Sequence, residues 1–411
     1  AWVVNAYLIA FAGLLLLSGR LGDLIGGKRV FICGLGLFTA SSLICGLAQN
    51  GTMLVVARFL QGAGGAMASA VILAMIVTTF TDARERARAI GVFSFTAATG
   101  GSVGLLLGGI VTQTIGWHWA FLINVPLGIA TILIASRVVK APAGIGLREG
   151  ADLLGAVTIT ASLMLVVYAV VQIPDRGFTR SIALCIALAI ALFIAFVVRQ
   201  ARARKPLVPL QLFRARNIAA ANVMEALLSA GLFGFFFLEA LYLRHTHGYG
   251  ALETGVAFLP LSITSGLLSL GWAERLVTFF GAQRVLLCGC ALSALGLLWL
   301  VLAPYEGNYF LTAFPPMVLI GIGLGIAFPP LMLFAMSGTS EEDAGVASGV
   351  LMTSSEVGGA VGLAMLASIA SVGGFRAAFV VATCCVVIAT AVATLALDAQ
   401  LPAAGEASQP M

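Results

Sequence analysis

The sequence is 411 residues long, 60% hydrophobic and 9% charged, with mean hydropathy +1.07, whereas a soluble domain carries about 25% charged residues. A water-soluble fold of this length has no means of hiding so much apolar surface. The formal net charge of +5 does not point to nucleic acid either, because the 22 Lys and Arg are spread through short loops and form no contiguous basic face.

The apolar residues come in thirteen blocks, at about 1–18, 30–48, 53–79, 88–112, 119–137, 153–172, 181–198, 218–243, 255–272, 284–303, 311–334, 346–370 and 375–397. Each is long enough as a helix to cross about 30 Å of hydrocarbon. Barrel strands would show segments of about ten residues alternating in polarity, and none occur. The sequence therefore predicts an all-α polytopic membrane protein. Successive spans alternate direction, so the loops fall on two sides. Seventeen of the 22 Lys and Arg fall on one side and only Arg176, Arg180, Arg244 and Arg376 on the other, with Arg58 inside a span. The positive-inside rule places the loops at 19–29 and 199–217, and the C-terminus, in the cytoplasm. It also puts Ala1 outside with no signal segment before it, which reads as a chain lacking its first span. The polar stretch at 199–217, with Pro206 and Pro209, is the natural break between halves. A weak repeat supports two related halves, since GRLGDLIGGKRV at 19–30 lines up with ERLVTFFGAQRV at 274–285.

In the segment 19–30, Gly19, Leu21, Asp23, Gly26 and Lys28 lie between two spans. The glycines permit a tight turn, and Asp23 can latch neighbouring helices by accepting bonds from N-terminal amides or meeting a cation. Gly22 to Lys28 nearly spells a phosphate-binding loop, but Arg29 replaces the required Ser or Thr and no strand precedes it, so nucleotide binding is rejected. Arg58 stands among apolar neighbours, where a guanidinium needs a wet cavity or a partner unless it snorkels to the interface. Gln61 lies one turn on, and with Gly62 it is expected to face that cavity. Gly100, Gly104 and Gly108, with Gly101 and Gly109 beside them, form a stripe that would let another helix approach closely.

Three of the 17 acidic residues, Glu225, Glu239 and Glu356, lie well within spans. Glu356 is near mid-span and is read either as a proton carrier or as a packing glutamate. Glu225 and Glu239 share one helical face with Ser229, Leu232 and Phe236. Glu225 could line a cavity, whereas Glu239, near the outer end, is expected to snorkel. His245 and His247 lack a convincing third ligand, so no metal site is expected. His118, between Trp117 and Trp119, fits an interfacial aromatic belt. The seven cysteines sit in or beside apolar segments without a CxxC pair and read as reduced filler.

GRLGDLIGGKRV, ARFLQGAGGA, GGSVGLLLGG and WHWAFLINVP, in that order, resemble signature motifs of the major facilitator superfamily, and more narrowly its 14-span drug:proton antiporter branch. The resemblance covers essentially the whole chain. It implies two six-helix halves with two extra central spans. The corresponding parts are an N-terminal half at 1–140 without its first span, the extra pair at 141–200, a cytoplasmic linker at 201–217, a C-terminal half at 218–398 and a disordered tail at 399–411. It further implies that Asp23 belongs to a cytoplasmic gate and that Arg58 serves proton coupling, for which the intramembrane position of Glu356, and after it Glu225, makes these the candidate carboxyls. The stripe corresponds to the family's antiporter motif, whose usual Pro is Leu105 here. The expected activity is efflux of small amphipathic molecules from the plasma membrane by a monomer, driven by protons and without a cofactor. Nutrient symport is the competing transport reading; a membrane receptor or enzyme would need a sensor domain or catalytic cluster that the sequence does not offer.

Overall fold

The computed structural model describes residues 2–80, 82–139, 144, 146, 152–203, 206–208, 210–304, 308–337, 339 and 344–397. The tail at 399–411 lies outside the described residues. Among those described there is no strand. The first six helices are α1 (Trp2–Ile25), α2 (Gly27–Gly46), α3 (Gly51–Thr79), α4 (Ala83–Thr114), α5 (Trp117–Leu122) and α6 (Asn124–Val138). Then come α7 (Leu153–Arg176), α8 (Arg180–Arg202) and a 3-10 turn at Leu210–Arg214. The remainder is α9 (Arg216–His247), α10 (Ala251–Ala257), α11 (Leu259–Gly271), α12 (Ala273–Phe280), α13 (Ala282–Leu302), α14 (Tyr309–Thr312), α15 (Phe314–Ala335) and α16 (Ala344–Ala396).

These helices overlie all thirteen expected spans. Three spans are built from two pieces each, α5 with α6, α10 with α11, and α14 with α15. One helix supplies two: α16 is broken at Gly374 (φ 78°, ψ 172°), a conformation that costs a glycine little. Among the described residues ten helices are long and apolar enough to cross a membrane. Their outer faces suit lipid and not water: on α8 Leu184, Leu188, Ile190, Phe193 and Ile194 are all exposed.

The chain forms two compact units. Unit 1 comprises Ala1–Thr79, Val111–Arg214 and Thr339–Val357, and unit 2 comprises Phe80–Ile110, Ala215–Gly338 and Gly358–Met411. In unit 1, α3 packs on α1 and α2, α2 packs on α5 and α6, and α7 packs on both α1 and α8. The α7–α8 pair is fastened by a polar knot. Asp152 caps α7 by accepting the Gly155 N–H at 2.9 Å, and it also accepts Arg199 Nε at 2.6 Å and Gln200 Nε2 at 2.9 Å. Gln200 Oε1 then accepts the amides of Leu207 (2.6 Å) and Val208 (3.2 Å). Those two side chains are buried with Leu16, Ala156, Ile159, Phe196 and Val346. Burial pushes the Asp152 carboxyl up, but the Gly155 amide and the Arg199 and Gln200 donors outweigh it and hold the group below the usual carboxylate range.

Unit 2 centres on α15, which contacts α9, α11 and α13. Its α12–α13 corner repeats the α1–α2 corner of unit 1. Gly26 (φ 97°) and Gly281 (φ 84°) are the N-caps of α2 and α13, each in a backbone conformation that favours glycine. Lys28 Nζ donates to Ser136 O near the end of α6 at 2.7 Å. Its counterpart Gln283 donates to Ala393 O and Leu397 O near the end of α16. Gly34 and Gly289 likewise correspond. A Cβ on Gly34 would stand 2.8 Å from Gly64 O, and one on Gly289 would stand 2.6 Å from Gly323 O. The weak sequence repeat is thus a repeated joint.

The segment 19–30 departs from the expected loop. Helix α1 runs on to Ile25, so Gly19, Leu21 and Asp23 are helical and the reversal is confined to Gly26.

Candidate functional site

Asp23 is held in place by the last turn of α1 and faces the start of α16. Its Oδ1 accepts the Gly345 N–H at 2.8 Å and its Oδ2 accepts the Val346 N–H at 3.0 Å. A carboxylate here meets two amides that have no partner inside their own helix, at the positive end of the helix dipole. Arg20 stands 3.9 Å away on the same turn of α1. The approach needs glycine on both sides, because a Cβ on Gly19 would collide with Gly345 O, and one on Gly345 with Asp23 itself. Gly19, Asp23, Gly345 and Val346 are therefore one latch between α1 and α16 within unit 1.

Arg58 is half-buried on α3 and bonded on several sides. Its Nε donates to Val3 O at 2.9 Å, its Nη1 donates to Gln61 Oε1 at 2.6 Å, and its guanidinium carbon lies 4.3 Å from the centre of the Tyr7 ring. Phe121 contributes a second ring at 5.6 Å. Gln61 passes the chain on, donating to Ser42 Oγ at 2.6 Å. Buried polar groups joined in this way are strongly ordered and stiffen the contact between α1, α2 and α3. Gln61 and Gly62 were expected to line a cavity, and Gly62 also to suit close helix packing. Gln61 is 1% exposed and enclosed in the relay, while Gly62 lies against the Tyr7 carbonyl in a helix contact. Glu356, partly buried on α16, acts electrostatically on Tyr7. Tyr7 thus stacks against the arginine and lies within electrostatic reach of the glutamate that the sequence singled out separately. No spacing in the sequence could have named it, since its relation to Arg58 is purely tertiary.

The other two carboxyls lie on α9 in unit 2. Glu225 is 4% exposed and accepts the Ser229 hydroxyl at 3.2 Å. Glu239 does not snorkel. It is 0% exposed, and α9 continues two more turns beyond it to His247. The stripe on α4 also differs from expectation. A Cβ on Gly100, Gly104 or Gly108 would find nothing within 4 Å among the described residues, and the surroundings of Gly109 lie outside them. The close approach on this helix is made at Gly91 instead, where a Cβ would stand 2.7 Å from Ser269 O of α11.

A sequence profile described as Major Facilitator Superfamily matches residues 1–363. The chain is 38% identical over 378 residues to the cephamycin export protein CmcT of Amycolatopsis lactamdurans, covering 90% of this chain and 77% of that protein. It is 34% identical over 376 residues to the lincomycin resistance protein of Streptomyces lincolnensis, with 90% and 76% covered. Among solved structures it resembles the human organic anion transporter MFSD10 (TETRAN), with a TM-score of 0.68 and 14% identity over 95% of this chain and 83% of that one. At that identity the likeness speaks for the fold alone.

Proposed function

The chain belongs to the major facilitator superfamily, and from that premise we propose that it exports small amphipathic molecules, antibiotics among them, in exchange for protons. The observation that carries this reading is the 38% identity with a cephamycin export protein across 90% of the chain. Resistance proteins for lincomycin and puromycin align over the same share. Transport proceeds by alternating access between two helical halves. Asp23 is the cytoplasmic gate residue: its two bonds to α16 must break for the inner side to open. Arg58 and Glu356, both within electrostatic reach of Tyr7, are the coupling pair, so that protonation of Glu356 changes what the guanidinium and ring are held by. The protein works as a monomer in the plasma membrane with its C-terminus inside, and needs no cofactor.

Expression in an efflux-deficient bacterial host tests the reading. The protein should raise resistance to at least one amphipathic antibiotic, and Arg58→Ala should abolish that resistance with the protein still folded in the membrane. Full resistance in the Arg58→Ala strain would reduce Arg58 to an interfacial anchor.

A further inference from the structure

A carboxyl in unit 2 lies outside the coupling pair just described. Both oxygens of Glu239 are completely buried, and among the described residues neither has a hydrogen-bond partner. Glu225, on the same helix, has Ser229. An ionised carboxylate enclosed without a donor costs several kcal/mol, so an acid in this setting holds a proton until its surroundings open. Phe235, one turn before, and Leu238 and Leu243 beside it are fully buried. One turn further on, Tyr242 lines a cavity of about 20 Å³ with Thr312, Pro304 and Phe375. That is room for one water, and it lies where α13 ends and α16 breaks, at the end of unit 2 opposite Gly281.

Few ionisable groups face this place. Helix α15 contributes none along Phe314–Ala335. From α14 comes Tyr309, within electrostatic reach of Glu239, with its hydroxyl donated to Ala257 O. Glu253 of α10 accepts the Gly250 N–H. Arg376 of α16 donates to Ala303 O, and Cys385 of the same helix is buried. Cys290 of α13 is buried near Glu225. On α9 itself, Tyr242 is the nearest such group, and Arg244, His245 and His247 follow at its end. None of these groups is hydrogen-bonded to Glu239.

We propose that Glu239 is a proton-binding site loaded from the outer face through the cavity beside Tyr242 and Thr312. The ligand is the proton itself, and the site supplies a second exchangeable proton position besides Glu356. This rests on the proton-exchange reading above, and the test separates the two. An apolar carbodiimide attacks protonated carboxyls in apolar surroundings. Full-length protein in liposomes, treated with dicyclohexylcarbodiimide and mapped by mass spectrometry, should carry the adduct on Glu239, with more of it at about pH 6 than at about pH 9. Transport stimulated by an acid exterior should be lost in Glu239→Gln. Absence of the adduct at every pH, or full stimulation in Glu239→Gln, overturns the proposal. Glu239→Leu, which fills the same apolar space, keeps the transport arm usable if Gln misfolds. Failure of the unaltered protein to respond to the pH gradient would instead sink the proton-exchange reading, whatever the labelling gives.

Discussion

A single carboxylate shows what a residue type can and cannot announce. Asp23, in a glycine-rich segment, is legible as a group that could accept helix amides. Its partners, Gly345 and Val346, are 322 and 323 residues away, and no local pattern names them. Charge-assisted bonds are each worth about 1.5–3 kcal/mol. Asp23→Ala should therefore release the start of α16, and a cysteine placed at the buried Ser348 should react faster with a thiol reagent in that background. An unchanged rate would mean that packing alone holds the latch. Asp152 escaped notice although it stands directly before an apolar run, the ordinary position of a helix cap. Its carboxyl is held below the usual range when folded, so its contribution is complete above about pH 4, the unfolded value. It is lost as pH falls through the lower folded value. Thermal unfolding in detergent should show Asp152→Ala less stable than the parent by about 1–2 kcal/mol at neutral pH, with the gap closing in strong acid. A gap that persists in acid would assign the effect to packing.

Helices were easier to read than their contacts. Hydropathy and length placed a helix over every predicted apolar block, down to the division of α16 near Gly374, because a backbone in lipid has to satisfy its own polar groups by forming helix. Ten helices among the described residues are long and apolar enough to cross a membrane. Periodicity also shows which glycines stand in line, but not whether a neighbour comes to them. Gly34 and Gly289 are met by backbone, whereas the more conspicuous stripe at Gly100, Gly104 and Gly108 is met by none of the described residues. The two kinds should separate under the same substitution. Gly34→Ala would put a Cβ 2.7 Å from Ala68 N and 2.8 Å from Gly64 O, and should cost about 1–3 kcal/mol through overpacking. Gly104→Ala adds a methyl that meets none of the described residues within 4 Å and, in a helix, should gain about 0.5–1 kcal/mol. Unfolding temperatures in one detergent decide the matter. Equal shifts in both variants would show that the α2–α3 contact yields to a methyl.

At the scale of the molecule, the charge pattern predicts how the chain lies across the membrane. With seventeen of the 22 Lys and Arg on one side, the positive-inside rule predicts that this side is cytoplasmic. A cysteine at Asn50 or Asn308 should label from outside the cell and one at Ala203 should not; strong external labelling at Ala203 would reverse the topology. The central claim, export of a small molecule in exchange for protons, is tested most directly by reconstituting the protein in liposomes and imposing a pH gradient. With the compartment on the receiving side of the drug made acidic, drug should accumulate there against its own gradient, and a drug gradient alone should drive protons the opposite way. Drug movement indifferent to the proton gradient, or running in the same direction as the protons, would contradict the exchange.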